Sequence, residues 1–175
     1  MTTSSPNADL IRWNSLDGVS AAREVLPCCG STAWANGLAV RRPFADVQQL
    51  LRASDEIWQA LPEAAWQEAF DSHPRIGQQH ARAATAESLA MSSHEQSAAM
   101  SDEDATKLAL AEGNRQYEER FGRIFIVCAS GKSAAEILAI LNARMNNTAG
   151  AELLEAAEQQ RQIMQLRLRK RLGEN

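Results

Sequence analysis

Apolar residues recur along this chain at intervals of three and four, the spacing that gathers side chains on one face of a helix. Ala134, Ile137, Leu138, Leu141 and Met145 form one such stripe, opened by Ser133 as a cap and stopped by Asn146-Asn147. Leu110, Asn114, Tyr117 and Phe121 form another, on a long helix predicted to start at Ser101 or Asp102 and to end at Gly122. Ser31 is positioned to cap a helix over 33–41 that Pro43 ends, and Asp46 to cap one over 47–60. Pro62 suits the first turn of a helix carrying Trp66, Ala69 and Phe70 up to His73. A last helix is expected from about 150 to 172. Trp13, Trp34, Trp58 and Trp66 fall within helical patterns, which reads as core packing rather than a binding cage.

Two stretches break the periodicity. Residues 123–128 are a short apolar, β-branched run, either strand-like or the start of something buried. Residues 78–89 are polar and alanine-rich, expected as a loop or a mobile segment. No second strand-rich region exists to pair with 123–128, so the expected fold class is all-α. The picture is a single-domain compact helical bundle of roughly eight helices over 1–175, with 1–8 a disordered tail.

Composition narrows the setting. A chain of 175 residues is long enough to bury a real core. With 45% hydrophobic and 23% charged residues it is ordinary for a globular protein. A net charge of −4 and the lack of a basic stripe outside the last helix argue against nucleic acid. No apolar run approaches the roughly 20 residues of a membrane span, and residues 1–7 lack the apolar core of a signal peptide. Cys28, Cys29 and Cys128, an odd number with an adjacent pair, make a poor disulfide framework. The end of the chain carries no peroxisomal Ser-Lys-Leu address. A cytoplasmic protein is expected.

Candidate chemistry centres on His73-Pro74-Arg75-Ile76-Gly77. Proline disfavours helix in the residue before it, so His73 is placed where a helix has just ended. Its imidazole, with an ordinary pKa of about 6.5, suits proton transfer near neutral pH. A surface turn is the plainer reading of the same motif. Gly131-Lys132-Ser133 resembles the end of a phosphate-binding loop, but Ile126 stands where the required glycine belongs. His73, His80 and His94 fit no zinc spacing, so no metal is expected. Ser92 with Glu95, or Ser93 with Gln96, matches a capping box that opens a helix, and a helix start is a seat for an anion. Arg167 shares a face with Ala156, Gln160 and Ile163. Its stem packs on the surface with its head in water, or its guanidinium is aimed inward; spacing leaves both readings open.

Together these residues resemble one family, the decarboxylases of 2-oxo-4-hydroxy-4-carboxy-5-ureidoimidazoline (OHCU). The likeness rests on Cys28-Cys29-Gly30-Ser31 with Trp34-Ala35, on Arg42-Pro43-Phe44, on the His73 motif and on Glu95-Gln96. It continues through the block 114–122, the segments 125–129 and 131–134, and the closing Leu166-Arg167-Leu168. It implies an all-helical fold and the last step of urate breakdown to (S)-allantoin. It also implies no metal, no organic cofactor, and commonly a homodimer. The resemblance assigns catalytic roles to His73, Glu95 and Arg167, the last as the arginine that grips the ureido or carboxylate end of the substrate, with Arg144 as the alternative arginine. It assigns substrate contacts to Pro74, to Ser92, Ser93, His94 and Gln96, and to Phe125, Ile126, Val127, Cys128 and Ala129. Backbone amides near Ala129 and at the 92–96 helix start are expected to bind carbonyl oxygens. Gln78 and the segment after it depart from the family pattern. Two competing readings are a non-enzymatic helical partner-binding domain and a hydrolase of a related ureide.

Overall fold

The computed structural model describes residues 7–76, 85–96 and 104–174. Among these residues there are nine α-helices and no strand. They are α1 (Ala8–Asn14), α2 (Gly18–Cys29), α3 (Thr32–Val40), α4 (Val47–Ala60), α5 (Glu63–Asp71), α6 (Ala86–Glu95), α7 (Asp104–Phe121), α8 (Ala134–Arg144) and α9 (Ala149–Arg171). The all-α expectation holds, and the expected boundaries from Ser31 to Ala60 and from Ser133 onward are met to within a residue or two. Short polar side chains set the starts. Asn7, Asp17, Ser31, Asp46, Thr85, Ser133 and Thr148 each accept a first-turn N–H. At α8 the capping box is reciprocal, with Glu136 reaching back to the Ser133 N–H.

Several expectations are corrected. Residues 7 and 8 belong to no tail: Asn7 caps α1 and donates to the Leu172 carbonyl at 2.6 Å, tying the start of the chain to α9. Residues 1–6 lie outside the described residues, as do Gly77, residues 78–84 and the expected α7 start at Ser101 or Asp102. Residues 86–89, expected in a loop, form the first turn of α6, which Thr85 caps.

Two apolar clusters fill the interior. The larger joins α1 to α5 with α9 around Trp13, Trp34, Trp58, Phe70 and Met164. The smaller gathers Leu110, Tyr117, Ile137 and Leu141 of α7 and α8. Each indole N–H has a partner: Trp13 donates to Ala21 O, Trp34 to Ser54 Oγ, Trp58 to Ala157 O and Trp66 to Trp58 O. The run 124–129 is in no helix and, among the described residues, pairs with no strand. Its alternation is the period-two pattern of extended chain: Ile126 and Cys128 enter the larger cluster, and Phe125, Val127 and Ala129 the smaller. It is therefore a seam between two cores, which explains its β-branched composition without a sheet.

The C-terminus of α2 meets α9 at this seam. A helix leaves its last carbonyls without intrahelical partners. Here Leu26 O accepts from Gly30 N, Pro27 O from Arg167 Nη1, and Cys29 O from Gln160 Nε2. Gly30 makes the turn with φ +88°, and a Cβ there would lie 2.2 Å from Ser72 Oγ, so both the backbone angle and the space demand glycine.

Candidate active site

His73 follows α5, where Pro74 forbids another helical turn. The ring is buried, and its Nε2 lies 2.6 Å from Gln160 Oε1 on α9. Burial beside the Arg167 charge pushes the His73 pKa down to about 3, against the usual 6.5. Desolvation is the larger cause, Arg167 the lesser, and the Gln160 hydrogen bond opposes both. The imidazole is thus uncharged near neutral pH.

A small cleft, about 20 Å³ in volume, lies over this ring. Its walls include His73, Pro74 and Ile76, then Ser92, Glu95 and Gln96 from α6, and Phe125, Ile126, Val127 and Ala129 from the seam, with Ile163 of α9 beneath. Residues from four separate stretches of chain converge there, and nine of them are residues that the sequence singled out.

Arg167 sits behind Glu95 rather than on the cleft wall. It is 2% exposed. Its Nε donates to Glu95 Oε1 at 2.7 Å and its Nη2 to Glu95 Oε2 at 3.0 Å. Nη2 also donates to Ser92 Oγ at 3.0 Å, and Nη1 to Pro27 O at 3.1 Å. Among the described residues, four of its five N–H groups are therefore taken. The guanidinium is aimed inward, but at Glu95 rather than at the place expected for the substrate, and its fork fixes that carboxylate at the cleft edge. Arg144, the alternative, is built into a different site. Nε and Nη2 grip Glu152 Oε1, at 2.9 and 2.5 Å, and Nη1 donates to Ile126 O at 2.7 Å. Tyr117 donates to the same carboxylate oxygen, and the guanidinium lies 4.6 Å from the centre of the Phe125 ring. Arg144 anchors the seam from behind.

Three expected contacts lie off the cleft. Ser93 and His94 are exposed on α6, because positions 93 and 94 turn away from the face shared by 92, 95 and 96. Cys128 is buried, and its N–H donates to Gln159 Oε1 at 2.9 Å, so that amide is already used. The expected helix start at 92–96 is a helix end. Gln96 is the C-cap of α6, with its N–H bonded to Ser92 O. The peptide N–H groups there are spent inside the helix, and no anion seat exists. Thr85 followed by Glu87 was the true start signal. Sequence reasoning also passed over Gln160, Ile76 and the α2 carbonyls. Gln160 was legible only as a polar residue on an otherwise buried stripe. Among the described residues, no three His, Cys, Asp or Glu side chains could hold a metal ion. No described helix is long and apolar enough to cross a membrane.

An all-helical body with a neutral, anchored imidazole and a clamped carboxylate at one small cleft defines a protein built for proton handling on a small molecule. The comparisons with known proteins agree with that class. The chain belongs to the OHCU decarboxylase family, whose pattern it matches over residues 14–169. It is 36% identical over 144 residues to the uric acid degradation bifunctional protein TTL of Arabidopsis thaliana, covering 82% of this chain but 44% of that protein. The chain thus spans less than half the length of that relative. It is 31% identical over 147 residues to 2-oxo-4-hydroxy-4-carboxy-5-ureidoimidazoline decarboxylase of Amia calva, covering 83% of this chain and 80% of the other. A crystal structure of OHCU decarboxylase in the presence of (S)-allantoin superposes with TM-score 0.75 at 33% identity, covering 86% of this chain and 98% of that one. A crystal structure of (S)-allantoin synthase, at 18% identity and TM-score 0.70 over 93% of this chain and 53% of that one, shares the fold.

Proposed function

We propose that the chain decarboxylates OHCU to (S)-allantoin in urate degradation, with His73 and Glu95 acting at the cleft. The observation that carries this is the meeting of a proline-stopped, uncharged imidazole and an arginine-clamped carboxylate on one cleft, in a chain of this family. The substrate carries a hydroxyl and a carboxylate on one ring carbon, beside a C=N bond. When CO2 leaves, its electron pair is taken up by that C=N, so the substrate supplies its own electron sink. The protein is left to orient the ring and to place protons. His73 accepts the hydroxyl proton, and protonation of the neighbouring carbon on one face gives a single enantiomer. Glu95, held in place by Arg167, orients the substrate's ring N–H. In this reading Arg167 acts through Glu95, and the apolar seam from Phe125 to Ala129 packs the ring. Neither metal nor organic cofactor has a part in it. The family likeness further carries a homodimer, which light scattering of the purified protein tests, and the unpaired Cys28, Cys29 and Cys128 suit a cytoplasmic setting.

The deciding experiment generates OHCU in situ from urate and follows (S)-allantoin by circular dichroism. The chain is expected to accelerate its formation over the spontaneous reaction, and His73→Ala to lose about 10²–10⁴-fold in kcat while staying folded. No acceleration by the wild-type chain overturns the activity. Near-normal turnover in His73→Ala removes the imidazole from the mechanism. Racemic allantoin removes the stereoselective protonation, and a product of C–N cleavage favours the ureide hydrolase.

A further inference from the structure

We propose that Gln160 is a positioning residue for His73, an amide whose polarity holds the imidazole as its Nε2–H tautomer and leaves Nδ1 as the lone pair available for proton transfer. The inference rests on the reading of His73 as the proton acceptor and deepens it by naming the nitrogen. Cys29 is the last residue of α2, so its carbonyl has no partner within the helix. A carbonyl only accepts, so the Gln160 atom 3.3 Å from it is the amide nitrogen, donating. The oxygen of that amide therefore faces the other way, to within 2.6 Å of His73 Nε2. An amide oxygen also only accepts, so Nε2 must carry a proton. A neutral imidazole has one N–H, which leaves Nδ1 unprotonated.

The scaffold fixes this chain of polarity at both ends. Gly30 turns α2 so that Cys29 O points at α9. Gln160 is fully buried on the same stripe as Ala156, Ile163 and Arg167, so its amide has no water to exchange with. Among the described residues Nδ1 makes no hydrogen bond. Burial then keeps the ring uncharged and Nδ1 basic only toward a bound proton donor. A glutamine conserving nothing but volume would not show this alternation of acceptor, donor, acceptor and donor from Cys29 to His73.

The test pairs spectroscopy with turnover. Long-range ¹H–¹⁵N spectra of the wild-type protein at neutral pH are expected to show His73 as one Nε2–H tautomer with an unprotonated Nδ1. Gln160→Met removes the acceptor at similar volume. It is expected to abolish the hydrogen-bonded Nε2–H signature and to lower kcat by about 10–100-fold, part of what a positioned acid–base group supplies, with KM nearly unchanged. Gln160→Glu keeps an acceptor oxygen for Nε2 but loses the donor to Cys29 O, and is expected to keep the Nε2–H signature while kcat stays below wild type; loss of that signature in a folded Gln160→Glu counts against the proposal. A wild-type Nδ1–H tautomer, or a charged ring at neutral pH, overturns the proposal whether or not Gln160→Met folds. So does a folded Gln160→Met with wild-type kcat and an unaltered tautomer. A wild-type Nε2–H signature together with a fully active His73→Ala leaves the tautomer lock standing and sinks the acid–base reading instead.

Discussion

Acidification is expected to weaken this fold through His73 before any carboxylate contributes. Burial and the Arg167 charge lower the ring's pKa from 6.5 to about 3. In the unfolded chain the same ring binds a proton as pH falls through 6.5; in the folded chain it does not until about 3. Between those values unfolding takes up one proton, so the free energy of unfolding falls as pH falls, and the contribution is complete above 6.5. The limiting slope is about 1.4 kcal/mol per pH unit, which amounts to roughly 2 kcal/mol between pH 7.5 and pH 5. Glu24 and Glu158, held below the ordinary carboxylate range by hydrogen bonds from Arg12 and Arg161, act with the same sign but only as pH falls through about 4.5. The window from pH 5 to 7.5 therefore isolates the histidine. The assay is urea denaturation across that window for the wild type and for His73→Gln, whose amide can still donate to Gln160. The wild type should lose roughly 2 kcal/mol more than the variant on going to pH 5. Equal pH slopes in the two proteins would refute a buried neutral imidazole.

Gly30→Ala should cost on the order of 1–3 kcal/mol in backbone strain alone, with the Ser72 clash added, and should lower activity by displacing the residue before His73; an unchanged urea midpoint contradicts it. Arg144→Met strands the fully buried Glu152 carboxylate and should cost about 3–5 kcal/mol of stability, a loss that denaturation measures directly and that a cost under about 1 kcal/mol disproves. Arg167→Lys replaces a fork that holds both oxygens of Glu95 with a point charge. Misplacing that carboxylate should cost about 10²-fold in kcat, and normal turnover of the in situ substrate would count against Arg167 as the residue that sets Glu95.

The elements most readable in the sequence were those with strong caps and an uninterrupted apolar face. Asp46 and Val47–Ala60 appear as expected, and so does Ser133 with its stripe. Pro62 was displaced by one position, from the first turn of α5 to its N-cap. The helix α6 was misread because Ser92, Glu95 and Gln96 satisfy a capping-box spacing at a helix end. Their side chains serve the core instead: Ser92 and Glu95 both bind Arg167. A local motif cannot register a partner 72 positions away. The seam at 123–128 was undecidable for a related reason. Apolar, β-branched chain suits any extended path, and only the presence of two cores, one on each side, shows why it needs no sheet.

The distant contacts share a cause. Within a few turns of α9, Gln159 holds Cys128 N–H, Gln160 holds His73, and Arg167 holds Glu95. Two of these three side chains also satisfy carbonyls at the end of α2. One helix thus sets the imidazole, the carboxylate and the apolar wall, and its register against α2 fixes all three together. Gln160 and Arg167 are seven positions apart, two helical turns, and so share a face. Because the α2 carbonyls would otherwise be buried without partners, the α2–α9 contact that holds the fold also orients the groups that the proposed chemistry needs.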